Sequence, residues 1–306
     1  MYRQLLISAF FLPFFGVLLS SCSPKPPHPM QVREAATASL DESGAAFQAG
    51  QIVDIRAGRA IAFAELIQRL QTQDLVFIGE VHTNGEHHLI QVQILQRLLE
   101  GRPGTAVGIE YLPHTLQPVV DRFMSGTIDE RQFLKQSDWS KNWGFDVHLY
   151  RPLFHLIRQQ AAALLALNAP NAVIKAVARN GIQGLLSKQR EQLPESIDLD
   201  KPRYRAALKA VFQNHAHAGL PDFELFYQAQ CARDATMAAN IAADWEARGR
   251  RLIVFCGNGH IDKRFAVPAR VQSRIPVDSA VLLLKPLQGS MRLDPDEADF
   301  VWLTGG

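Results

Sequence analysis

The chain is poor in the features that make many functions easy to read. It holds three cysteines in 306 residues, Cys22, Cys231 and Cys256, and no Cys-x-x-Cys unit. Neither a zinc ribbon nor a dithiol redox motif is therefore indicated. Cys231 and Cys256 are expected as buried free thiols, with a disulfide as the alternative in an oxidising compartment. The net charge is only +2, and no basic stripe interleaves with aromatics, so the electrostatic footprint of a nucleic-acid binder is missing. Past the amino-terminal leader no apolar run reaches the length of a membrane span. There is no glycine-rich phosphate loop, no Gly-x-Ser-x-Gly elbow, no protein-kinase set and no His-Glu-x-x-His helix.

What is there is an ordinary globular composition, 47% apolar and 20% charged, in a chain long enough to bury a sizeable core as one large domain or two small ones. Residues 1–21 carry Arg3, an apolar stretch from Leu5 to Leu19, and small residues before Cys22, which is secretory-signal architecture. Leu19-Ser20-Ser21-Cys22 resembles a bacterial lipobox. The resemblance implies cleavage before Cys22 and lipid attachment to that residue. Several acyl chains anchor firmly where a single chain holds only marginally. Ser23 stands where an aspartate would favour retention at the inner membrane, so the expected location is the outer membrane, lipid-anchored and facing the periplasm. Residues 22–50, with Pro24, Pro26, Pro27 and Pro29, read as a tether, and residues 51–306 as the folded domain.

The organising stretch is Leu75 to His88. Leu75-Val76-Phe77-Ile78 has the apolar, β-branched and aromatic character of a strand buried on both faces. Gly79 interrupts it, and Glu80, His82, Glu86, His87 and His88 follow. Thr83 with Glu86 three residues on forms a capping-box pattern, so a helix is expected to start there. His87 and His88 then fall in its first turn and read as surface residues. Thr105 to Glu110 is a second strand ending on an acid, and strand, helix and strand together make a βαβ unit with parallel pairing. Glu80 and Glu110 are therefore expected at one edge of the sheet, where open α/β sheets place their sites.

Residues 113–148 form an aromatic-rich excursion, either a lid or a covering pair of helices. Leu164 to Asn168 is a third strand, and Asn171 opens a helix that Gly181 can stop. About 182–220, with Pro194, Pro202 and His215-Ala216-His217, is expected as a small helical subdomain. On the long helix from about Pro221 to Ala247, Phe223, Tyr227, Gln230, Asp234, Met237, Ile241 and Trp245 share one face. Three of these are polar, so they form either a structural network or the wall of a site. Arg251 to Cys256 is a fourth strand, and it ends in Gly257-Asn258-Gly259-His260. Late strands are expected at 280–285 and 300–303. The whole is an α/β fold with a mainly parallel sheet flanked by helices.

Glu80, His82, Glu110 and His260 thus come from three strand ends. Two imidazoles and two carboxylates are a donor set for a divalent transition metal that activates water. Acid–base catalysis without metal is the alternative, and capping of loops and helix ends is the bland one.

These motifs, in their order and spacing, resemble the ChaN-like haem-binding lipoproteins of the Tiki/erythromycin-esterase-like superfamily. The residues that carry the likeness are Gly79-Glu80-Val81-His82, Gly108-Ile109-Glu110, Tyr150-Arg151-Pro152, Leu167-Asn168-Ala169-Pro170, Ala229-Gln230 through Arg233-Asp234 to Met237-Ala238, and Gly257-Asn258-Gly259-His260. The resemblance implies haem bound at a homodimer interface through tyrosine, in an outer-membrane-anchored protein that assists haem or iron uptake beside an outer-membrane haem receptor. Tyr227 is the first choice of ligand and Tyr204 the second, with Gln230 nearby. In Tiki-type relatives the positions like Glu80, His82, Glu110 and His260 serve metal-dependent hydrolysis, so a peptidase or esterase is the competing expectation.

Overall fold

The computed structural model describes residues 36–40, 46–214, 222–263 and 265–305. The leader, Cys22, the tether as far as residue 35 and the His215-Ala216-His217 segment lie outside the described residues. In chain order, β1 (Thr37–Ser39), β2 (Ala46–Phe47), β3 (Ile52–Asp54), β4 (Arg59–Ile61) and α1 (Phe63–Gln71) lead into β5 (Leu75–Glu80). Next come α2 (Gly85–Gly101) and β6 (Ala106–Pro113), then α3 (Gln117–Met124), α4 (Glu130–Gln136), α5 (Trp139–Asn142) and α6 (Val147–Gln159). After β7 (Leu164–Asn168) the chain runs through α7 (Asn171–Asn180), α8 (Ser187–Arg190), α9 (Pro202–Asn214) and α10 (Phe223–Arg248). It ends with β8 (Leu252–Gly257), α11 (Val267–Gln272), β9 (Ser279–Pro286), β10 (Ser290–Arg292) and β11 (Phe300–Thr304).

The main sheet has the order β4-β3-β11-β9-β5-β8-β6-β7. From β11 to β7 all neighbours pair in parallel, and the β3–β4 hairpin closes one edge antiparallel. The architecture is the α/β one expected. β5 and β6 are not neighbours, however: the crossover through α2 leaves a gap that β8 fills, with Glu80 opposite Gly257 in register. The last of the three site-bearing strands therefore lies between the first two.

All six residues of β5 are buried, as are all of β6 and β8. Each fully buried Val, Leu, Ile or Phe contributes roughly 1.5–3 kcal/mol, which is why these runs take the middle of the sheet. Residues 37–39 and 46–47, expected as tether, are strands of a second, three-stranded sheet with β10. Ala38 and Phe47 are buried there, and that burial draws them into the fold. At the amino-terminal end of β8, the buried Arg251 donates to the carbonyls of Leu70, Gln73 and Leu98 at 2.8, 3.1 and 3.2 Å. It thereby ties the carboxyl-terminal ends of α1 and α2, and the turn after α1, to the start of β8, Leu70 O accepting in addition from Gln73 N–H at 3.2 Å. Burial lowers its pKa to about 10. Among the described residues no helix is long and apolar enough to cross a membrane.

Candidate functional site

Glu80, His82, Glu110 and His260 meet at the carboxyl rim of β5, β8 and β6. The helix after Glu80 starts one residue later than the Thr83 pattern suggested. Asn84 is its cap, accepting from the backbone N–H of Glu86 and His87 at 2.9 and 3.3 Å. Glu86 instead accepts from Gly305 N–H at the far end of the chain.

Glu80 is buried and ringed by donors. His82 Nδ1 lies 2.8 Å from Oε1, while Gln91 Nε2 and Tyr111 OH donate to Oε2 at 2.9 and 2.8 Å. Tyr150 OH approaches Oε1 at 3.4 Å. Burial acts to raise the Glu80 pKa, but the His82 hydrogen bond, the His88 charge and Tyr111 outweigh it and hold the carboxyl below its ordinary value. Facing an ionised carboxylate, His82 Nδ1 must carry the proton, so Nε2 is left bare in the neutral ring.

The second group gathers around His260. Its Nδ1 is 2.6 Å from Asp234 Oδ1 and its Nε2 is 3.3 Å from Glu110 Oε1. Glu110 Oε2 accepts from Gly257 N–H at 2.7 Å, and Asp234 Oδ2 accepts from Tyr204 OH at 2.6 Å. Burial opposes the His260 charge, yet Glu110 and Asp234 prevail and raise its pKa to about 9. The two groups touch over Gly257. A Cβ built there would stand 2.7 Å from His82 Cε1, 2.9 Å from His82 Nε2 and 3.6 Å from Glu110 Oε2.

The quartet converges, but not as a metal cradle. Among the described residues no three or more His, Cys, Asp or Glu side chains are arranged to hold a metal ion. The physical reason is that Glu80 and Glu110 already spend their oxygens on tyrosine, glutamine, imidazole and backbone donors.

His87 and His88 also depart from expectation, since both are buried. His87 Nδ1 accepts from Val81 N–H and its Nε2 meets Thr304 Oγ1. Burial, with the His88 charge beside it, lowers its pKa to about 4. His88 lies 3.0 Å from the His82 carbonyl and packs edge-on against Tyr150.

Tyr227 and Tyr204 are 0% and 1% exposed. Tyr227 OH donates to Leu199 O at 2.9 Å, and Arg205 covers its ring at 4.3 Å. Burial pushes both phenols up. Gln230 is half-buried. In this conformation neither tyrosine offers a phenolate to a surface ligand, so the expected tyrosine ligation of haem does not fit these residues as they stand. The polar interruptions on α10 resolve in part as a network, with Asp234 joining Tyr204 to His260.

Sequence reasoning missed Gln91 and Tyr111 as site residues and left Asp234 open between a structural network and the wall of a site. Asp234 had a signal in its place on the inward stripe of α10, and Tyr111 in following Glu110 on a buried strand. The aromatic excursion supplies buried Phe123, Phe133 and Trp139 to the core, while half-buried Trp143 and Phe145 lie 4.7 and 4.8 Å from the His82 ring. Cys231 and Cys256 are free and buried.

A family model described as haem-binding uptake, Tiki superfamily, ChaN matches residues 66–271. A solved structure showing cofacial heme binding to ChaN of Campylobacter jejuni superposes with a TM-score of 0.66 at 18% identity, covering 82% of this chain and 95% of that one. An erythromycin esterase mutant, EreC, in its open conformation gives 0.49 at 13% identity, over 78% and 77% of the two chains. Among curated proteins, RETICULATA-RELATED 5, chloroplastic, of Arabidopsis thaliana is 24% identical over 266 residues. That match takes in 77% of this chain and 34% of the plant protein, so the chain spans about a third of that relative.

Proposed function

This chain belongs to the haem-binding uptake family of the Tiki superfamily, ChaN, and from that membership we propose that it binds haem and assists haem or iron uptake. The family match across residues 66–271 is the observation that carries the reading. The leader, Leu19-Ser20-Ser21-Cys22 and Ser23 support an outer-membrane lipoprotein held through Cys22 and facing the periplasm. A homodimer is the binding unit in this reading, as the family resemblance implies, and an outer-membrane haem receptor is the partner that such a carrier would serve. In this reading haem would bring the iron and the porphyrin, and the chain would supply a donor atom and apolar contacts. Titration of the purified mature chain with haemin tests the reading. A saturable Soret band is expected, and its absence would end it.

One arrangement favours a second reading, acid–base hydrolysis. His82, with its proton held on Nδ1 by Glu80, presents a bare Nε2 beside Glu110, and His260 is kept charged between Glu110 and Asp234. An imidazole nitrogen free of hydrogen bonds and a charged imidazolium on one rim are the parts that water activation and leaving-group protonation need. Ester or peptide turnover by the purified chain, abolished in Glu80→Ala, is its test.

A further inference from the structure

We propose that the carboxyl rim of the main sheet is the face that this chain turns toward the lipid bilayer, with Val81 and Leu89 as its contacts. The inference rests on the reading of Cys22 as a lipid anchor and adds which surface that anchor brings to the lipid.

The first described strand starts at that rim. β9 lies parallel to β5 and β11, so Pro286 and Thr304 end at the same edge as Glu80. The turn after β9 holds the start of β1: Thr37 N–H donates to Gly289 O at 3.0 Å, and Thr37 pairs with Ser290. Leu287 N–H donates to Thr304 O at 3.0 Å, and Gly50 N–H to Leu303 O at 2.7 Å. One residue further on, Gly305 N–H donates to Glu86 in the first turn of α2 at 3.1 Å. The root of the tether and the start of α2 therefore share one corner of the rim.

What remains of the tether is short for the domain it carries. Ser23 to Ala36 is fourteen residues, which as a flexible coil span roughly 20 Å. β9 alone, eight residues long, measures about 26 Å from the rim to the opposite edge. A relaxed tether thus keeps the amino-terminal edge of the sheet away from the lipid. Only a chain near its full extension of about 50 Å, running back along the domain, would bring that edge to the bilayer.

What the rim exposes suits a lipid surface. Among the described residues the exposed large apolar side chains are Val81, Leu89, Leu186 and Val211. Val81, 39% exposed, directly follows Glu80 at the end of β5, and Leu89, 60% exposed, lies in the first turns of α2. Such surface gains by leaving water. Two side chains would hold a free protein only weakly, but a short tether keeps them at millimolar effective concentration over the bilayer. The candidate site with Glu80, His82, Glu110 and His260 then faces the headgroups, and its ligand arrives and leaves on the membrane side.

The test uses the mature lipidated chain in vesicles of phosphatidylethanolamine and phosphatidylglycerol that carry a headgroup quencher. Fluorophores are attached at one introduced cysteine at a time, Cys231 and Cys256 being buried. His148→Cys reports on the rim, since His148 is 68% exposed and stands three residues from Phe145, which packs on His82. Glu100→Cys reports on the opposite edge, at the end of α2 near the start of β8. The rim label should be quenched several-fold more strongly, because about 26 Å of sheet separates the two edges. Leu89→Glu, at an exposed position that the fold tolerates, should lower the quenching of the rim label several-fold. Equal quenching at the two positions, stronger quenching at the Glu100 position, or no effect of Leu89→Glu would each overturn the inference with the anchor intact. A mature chain whose Cys22 carries no acyl groups by mass spectrometry would remove the anchor and this inference together.

Discussion

The His82 ring lies on the Cα of Gly257, and the contact leaves no room for a methyl group. Gly257 has φ −58° and ψ 143°, angles open to any residue, so its lack of a side chain answers to space and not to backbone conformation. Gly257→Ala should therefore push His82 off Glu80, lowering stability by about 1–3 kcal/mol. Gly259→Ala, where a Cβ would meet nothing within 4 Å, is the matched control and should stay within about 0.5 kcal/mol. Equal urea midpoints for the two variants would disprove the crowding.

His87 and His260 make opposite demands on pH. The His87 pKa falls from 6.5 to about 4 on folding. The unfolded chain therefore takes up a proton below 6.5 that the folded chain refuses, and stability declines with acidification until about 4. Glu80 adds to that acid loss, because a depressed carboxyl contributes above its unfolded value of 4.5 and ceases to as pH falls. His260 rises from 6.5 to about 9. Its contribution is complete below 6.5 and disappears as pH climbs through 9. Urea midpoints measured across this range should show a limb on each side. His87→Gln should flatten the acid limb and His260→Gln the alkaline one. An alkaline limb that persists in His260→Gln would show that another group causes it.

Arg251→Met should be among the most damaging changes far from the rim. It strips a donor from each of the Leu70, Gln73 and Leu98 carbonyls, with an expected loss of on the order of 3 kcal/mol. Thermal and urea unfolding would register this directly. A loss well under 1 kcal/mol would mean that water replaces the guanidinium without penalty.

Much of the fold was legible because burial leaves a local signature. Leu75 to Ile78 and Leu252 to Cys256 are apolar on both faces, as only strands inside a covered parallel sheet need to be. Gly181 and Gly249 mark helix ends through positive φ. The start of α2 was harder to place, since Thr83 and Asn84 are both good caps and only the chain's path decides between them. His87 and His88 looked like surface residues because the α2 periodicity shows which residues share a face, without showing what lies opposite. Thr304, over two hundred residues away, is what buries His87.

The sequence by itself determined that acids and imidazoles stand at the ends of separate buried strands, because the identity of a strand and of its last residue is a local matter. Tertiary structure alone decided that β8 passes between β5 and β6, that Asp234 and Tyr204 complete the His260 group, and that every described tyrosine is closed off. Those outcomes depend on strand order and on which side chain fills which gap, and such long-range packing is not written in the spacing of neighbouring residues.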